Sequence, residues 1–102
     1  MSEFEHRLAC VITADGSIAR GYLIDSCEAK NANEYIITWK IPLQGSAKTN
    51  FSCVVGRAEY EPVEPGFCTV GLLEDPPKMR VCTFDVQGTP AKRSFHLACF
   101  RD

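Results

Sequence analysis

Uninterrupted apolar runs stay short throughout the sequence, which excludes a transmembrane helix and the apolar centre of a secretory signal. A strong charge of one sign is also missing. With 11 Lys and Arg against 13 Asp and Glu, the net charge is −2, so no overall attraction to nucleic acid or to an anionic membrane is expected. No Cys-x-x-Cys or Cys-x-Cys pair occurs, and the two histidines, His6 and His96, have no cysteine near them in sequence. Zinc knuckles and ribbons present ligands in close pairs on tight turns, so no metal site is expected. No glycine-rich loop follows a strand pattern and opens a helix, which leaves nucleotide binding without support and no cofactor expected. Apolar residues at helical spacing are likewise missing from any window of useful length.

What is present is ordinary for one folded domain spanning residues 1–102: 45% hydrophobic residues, 24% charged residues and six cysteines. The cysteines at 10, 27, 53, 68, 82 and 99 are sparser than in disulfide-stapled secreted domains, and no export signal is recognised. They read as buried reduced thiols acting as small hydrophobes, with the opposite reading reserved for a mature secreted fragment. The expected location is cytoplasmic or virion-associated.

Period-two alternation recurs along the chain and predicts an all-β fold, a single antiparallel sandwich of jelly-roll or Greek-key type with about seven or eight short strands. Leu8, Cys10 and Ile12 alternate with Ala9 and Val11, and Asp15-Gly16 suits a two-residue hairpin turn that sets Cys10 against Gly21 and Leu8 against Leu23. The returning strand is expected over 18–27, followed by a polar loop over 28–33. In the clearest strand, 34–41, Tyr35, Ile37, Trp39 and Ile41 share the face expected in the core. Further strands are expected over 51–57, 67–72, 79–86 and 94–100, with an exposed acidic, proline-containing connection over 59–66. Centring the turn between 67–72 and 79–86 on Asp75 places Cys68 opposite Cys82. In the second of those strands, Thr83 and Asp85 form a polar face and Cys82, Phe84 and Val86 an apolar one. Two pairs of stretches are alike: Leu8-Ala9-Cys10-Val11 with Leu97-Ala98-Cys99-Phe100, and Phe67-Cys68-Thr69-Val70 with Val81-Cys82-Thr83-Phe84. Equivalent core positions of one sandwich account for such likeness more simply than a duplicated half-fold.

Three stretches together carry a resemblance: Asp15-Gly16-Ser17-Ile18, Tyr35-Ile36-Ile37-Thr38-Trp39, and Thr83-Phe84-Asp85 leading through Gly88-Thr89-Pro90 to Arg93-Ser94-Phe95-His96-Leu97. They resemble small bacterial and phage-associated β-sandwich domains, mostly uncharacterised, that tend to read DGT, GxYxITF and TxDxxGxPxxRxFHLxVF. Asn33 stands where that pattern has a glycine and is expected to take up the left-handed conformation. The resemblance implies self-association, often as trimers, at the ends of fibre-like or tail proteins. This chain departs from the pattern by carrying more cysteines.

No nucleophile, base or metal set is recognisable, so no enzyme is expected. His96, with Asp85 as a distant partner, reads first as a structural or surface residue. Lys78, Arg80, Lys92, Arg93 and Arg101 make the last quarter basic, and Arg7 and His6 join them if the terminal strands pair. Arg80, Lys92, Arg93, His96 and Tyr60 are the candidate surface-binding residues. The leading expectation is a non-enzymatic structural or interaction module forming a homo-oligomer, most simply a trimer. One alternative is a carbohydrate-binding module using Tyr22, Trp39 or Tyr60 to stack on sugar. The other is a small inhibitor docking on a protein through a sheet edge.

Overall fold

The structure, a computed structural model, describes residues 7–43, 49–57, 62–75 and 77–101. Its described elements are eight strands: β1 (Arg7–Ile12), β2 (Ile18–Tyr22), β3 (Ile24–Lys30), β4 (Glu34–Trp39), β5 (Thr49–Val55), β6 (Phe67–Leu72), β7 (Lys78–Phe84) and β8 (Phe95–Arg101). They form two antiparallel four-stranded sheets, one ordered β2-β1-β8-β5 and the other β3-β4-β7-β6, packed as a β-sandwich. No helix among the described residues is long and apolar enough to cross a membrane.

Alternation decides the core. Tyr35, Ile37 and Trp39 point inward from β4 and meet Leu8, Cys10 and Ile12 from β1, Met79 and Val81 from β7, and Phe95, Leu97 and Cys99 from β8. Ile36 on the other face of β4 is half-buried and Lys40 just beyond it is exposed, as the alternation predicts. Tyr35 packs edge-on against Phe95, centroids 5.1 Å apart, while its hydroxyl donates to the Ala14 carbonyl at 2.7 Å. That bond satisfies the polar tip of a buried aromatic and ties the β1–β2 turn to β4.

The structure corrects several details. The β1–β2 loop is longer than a two-residue turn: the Thr13 amide donates to the Ser17 carbonyl and the Gly16 amide to the Thr13 carbonyl, with Gly16 at φ 96°. A register shift between Val11 and Ile12 absorbs the extra residue, so Cys10 still pairs with Gly21. The strand expected over 18–27 is two strands in different sheets. At Leu23, φ 64°, a left-handed kink passes the chain from β2 in one sheet to β3 in the other. Leu8 therefore has no strand partner at Leu23.

The polar stretch expected as a loop begins as strand, because β3 continues to Lys30, paired with Glu34. The left-handed residue of that turn is Asn31, φ 55°, rather than Asn33. Asn33 instead exchanges bonds with β7, its side-chain amide donating to the Thr83 carbonyl and its own carbonyl accepting from the Thr83 amide, both at 2.9 Å.

The β6–β7 hairpin forms as expected but one residue out of the expected register. Cys68 pairs with Thr83 and Thr69 with Cys82, because the turn closes between Leu73 and Lys78 and so centres beyond Asp75. Cys68 and Cys82 are therefore not opposite one another and lie on opposite faces of the sheet. The polar and apolar faces of β7 are also exchanged. Thr83 is fully buried and donates to the Ala91 carbonyl at 2.6 Å, while Phe84 turns outward to stack on Phe67 at 5.5 Å. The two pairs of similar stretches are β1 with β8 and β6 with β7, in each case direct antiparallel neighbours, with Ala9 opposite Ala98.

Candidate interaction face

The outward face of the β2-β1-β8-β5 sheet has an unusual composition. Its registers align three rows across the strands: Tyr22, Ala9, Ala98 and Ser52; then Arg20, Val11, His96 and Val54; then Arg7, Phe100 and Asn50. The first row has small side chains at its centre and a large aromatic at one end. Tyr22 is 45% exposed on the β2 edge, Val54 is 61% exposed on the β5 edge, and Phe100 is 50% exposed between them. Between these larger side chains runs an open groove of about 450 Å³, floored by Ala9, Ala98 and Ser52 and walled by Arg20, Tyr22, Val54 and His96. Large apolar groups in water around a flat floor of small ones are the chemistry of a packing surface.

Four of the five candidate binding residues, Arg80, Lys92, Arg93 and His96, lie among the described residues. His96 lies on this face, its Nε2 3.0 Å from the Arg57 carbonyl oxygen, a contact that fixes the ring in the groove wall. Asp85 is not its partner: that carboxylate accepts the amides of Gln87 and Thr89 and shapes the turn after β7. Arg93 is structural. Its Nε donates to the Pro65 carbonyl at 3.0 Å, its Nη1 to the Lys92 carbonyl at 2.9 Å, and its guanidinium lies 3.6 Å from the Glu64 carboxylate, so it anchors the chain entering β6. Exposed Lys92 lies beside it at one end of the sandwich, at a cleft of about 300 Å³ that Arg57, Val63 and Glu64 also line. Arg80 is on the outer face of the other sheet, paired with Glu34 at 2.6 Å, and Lys78 is paired with Asp75 in the hairpin beyond it. The structure thus brings Lys92 and Arg93 together and leaves Arg80 and His96 on two other surfaces. Tyr60 and His6 lie outside the described residues. Trp39, 2% exposed, belongs to the core and is not available to stack on a sugar.

All six cysteines carry thiols. Burial pushes Cys10 up to about 12 and Cys27 up to about 11, which keeps both protonated and unreactive. Cys53 and Cys68 are arranged differently, their sulfurs 2.7 Å apart across the gap between β5 and β6. The Cys53 thiol, bonded to its neighbour, holds Cys68 below the ordinary thiol value, and the same contact pushes Cys53 up. Among the described residues no group of three or more His, Cys, Asp and Glu is placed to hold a metal ion.

The candidate face was not legible in the sequence because it comes from pairing β1 with β8, which are separated by most of the chain. The signal was present in the likeness of Leu8-Ala9-Cys10-Val11 to Leu97-Ala98-Cys99-Phe100, which repeats a small residue on the same face of both strands. Comparison with known protein families, with curated proteins and with solved structures found no match.

Proposed function

We propose that this domain is a non-enzymatic interaction module that self-associates through the outward face of the β2-β1-β8-β5 sheet. The observation that carries the reading is the row Tyr22, Ala9, Ala98, Ser52, with Tyr22 and Val54 exposed on opposite edges of the sheet. The two edges differ in shape, so the Tyr22 edge of one copy fits the groove beside Val54 of the next. Such a head-to-tail contact gives a ring where its rotation divides a full turn, and a trimer is the smallest such ring. Small domains bury limited apolar area alone, and covering Tyr22, Val54 and Phe100 between copies adds to what the core provides.

Light scattering coupled to size exclusion tests this directly. The expected particle contains three chains of 11.3 kDa. Ala98→Glu, which puts a charge on the groove floor, is expected to give monomers that retain the β spectrum of the parent. A parent that stays monomeric at high micromolar concentration refutes self-association and moves the weight to an inhibitor docking through a sheet edge.

A further inference from the structure

We propose that Cys53 and Cys68 form a reversible disulfide clasp joining the two sheets, made by exchange with a glutathione-type disulfide. Cys53 points inward from β5, an edge strand of one sheet, and Cys68 inward from β6, an edge strand of the other. The two edges meet on the same side of the sandwich, which brings the sulfurs to 2.7 Å. Both side chains are half-buried, within reach of a small disulfide at the sandwich edge, whereas Cys10 and Cys99 are sealed in the core. Cys82 is on the outer face of β7 and Cys27 on β3, at the far edge of its sheet.

The exchange balances in two steps. The Cys68 sulfur, as thiolate, attacks one sulfur of the oxidant, forming a mixed disulfide and releasing the first glutathione thiolate. Cys53 then loses its proton and its sulfur attacks the Cys68 sulfur, forming the Cys53–Cys68 bond and releasing the second thiolate. Two electrons pass from the protein pair to the oxidant, which leaves as two thiols, and a reducing thiol pool reverses both steps. Contact with Cys53 favours the thiolate at Cys68, which makes Cys68 the attacking sulfur and Cys53 the resolving one. The product closes the connection that carries the chain from β5 to β6 and covalently joins the edges of the two sheets. A loop of this length is expected to raise Tm by roughly 10–20 °C on oxidation.

The test uses the full chain, reduced and then incubated with oxidised glutathione. Expected is a product lighter by two hydrogens, one crosslinked peptide pair containing Cys53 and Cys68, the Tm increase, and reversal of all three by dithiothreitol. Cys53→Ser is expected to stop at a persistent glutathione adduct on Cys68, because the resolving sulfur is gone. A crosslink that maps to any other pair overturns the proposal. So does an oxidised parent that keeps glutathione as the variant does, or a parent in which both thiols remain open to alkylation after incubation. Peptide mapping of the parent decides the matter even if the variant fails to fold.

Discussion

Trp39 lies on the inner face of β4, 2% exposed, with its backbone amide donating to the Pro77 carbonyl at 2.8 Å and its strand partner at Ile24 across the β3–β4 pair. Its indole Nε1–H is buried and has no hydrogen-bond partner among the described residues. Two terms of opposite sign therefore act at one side chain. An aromatic side chain of this kind buries on the order of 200 Å², which at about 25 cal/mol per Å² contributes roughly 5 kcal/mol. The orphaned donor costs roughly 1–3 kcal/mol of that. Trp39→Ala removes most of the first term and relieves the second, for an expected net loss of about 3 kcal/mol, at the low end for a large buried aromatic. Trp39→Phe keeps a six-membered ring, removes the N–H and leaves a small cavity, so gain and loss nearly cancel and the expected change is within about 1 kcal/mol. Urea unfolding followed by far-ultraviolet circular dichroism measures both variants, because the fluorescence of the single tryptophan disappears with the residue. Protein concentration is held fixed, since self-association would make the midpoint depend on it. If Phe costs as much as Ala, the N–H is satisfied and the argument from the orphaned donor is wrong. If Ala costs less than about 1 kcal/mol, Trp39 is not a core residue and the packing described above is wrong.

Asp15 accepts hydrogen bonds from the Thr13 hydroxyl and the Ser17 amide, which hold its carboxyl below the ordinary value of 3.8. The unfolded chain therefore binds the proton first as pH falls, and the contribution of this turn, present in full well above pH 3.8, is lost as pH drops through the depressed folded value. The difference in urea midpoint between parent and Asp15→Ala is expected to be flat above about pH 5 and to shrink towards pH 2; an unchanged difference at pH 2 refutes the assignment. Thr83→Val keeps the shape of a fully buried side chain but leaves the Ala91 carbonyl without its 2.6 Å donor. A loss of roughly 1–2 kcal/mol is expected in the same unfolding assay, and a variant as stable as the parent would show that solvent replaces the hydroxyl.

Side-chain direction along a strand is a local property of the backbone, and everything that depends on it alone was legible in the sequence. The inward sets Leu8, Cys10, Ile12 and Tyr35, Ile37, Trp39 follow from period two, as does His96 facing away from Phe95 and Leu97. The two-sheet all-β architecture follows from the same alternation with turn residues at regular intervals. Pairing across distance was decided only by the tertiary structure, because it depends on how loops close and which edges meet. A left-handed residue at Leu23, where side-chain preference argues against one, sends one apparent strand into two sheets. A turn centred beyond Asp75 slips Cys68 past Cys82, and in a lattice of period two that slip puts the two cysteines on opposite faces of their sheet. Cys68 then meets Cys53 across the sandwich edge, and Tyr22, Ala9, Ala98 and Ser52 line up over four strands drawn from the two ends and the middle of the chain. Neither arrangement has a local cause, since each needs the free energy of the assembled core to hold distant segments in one register.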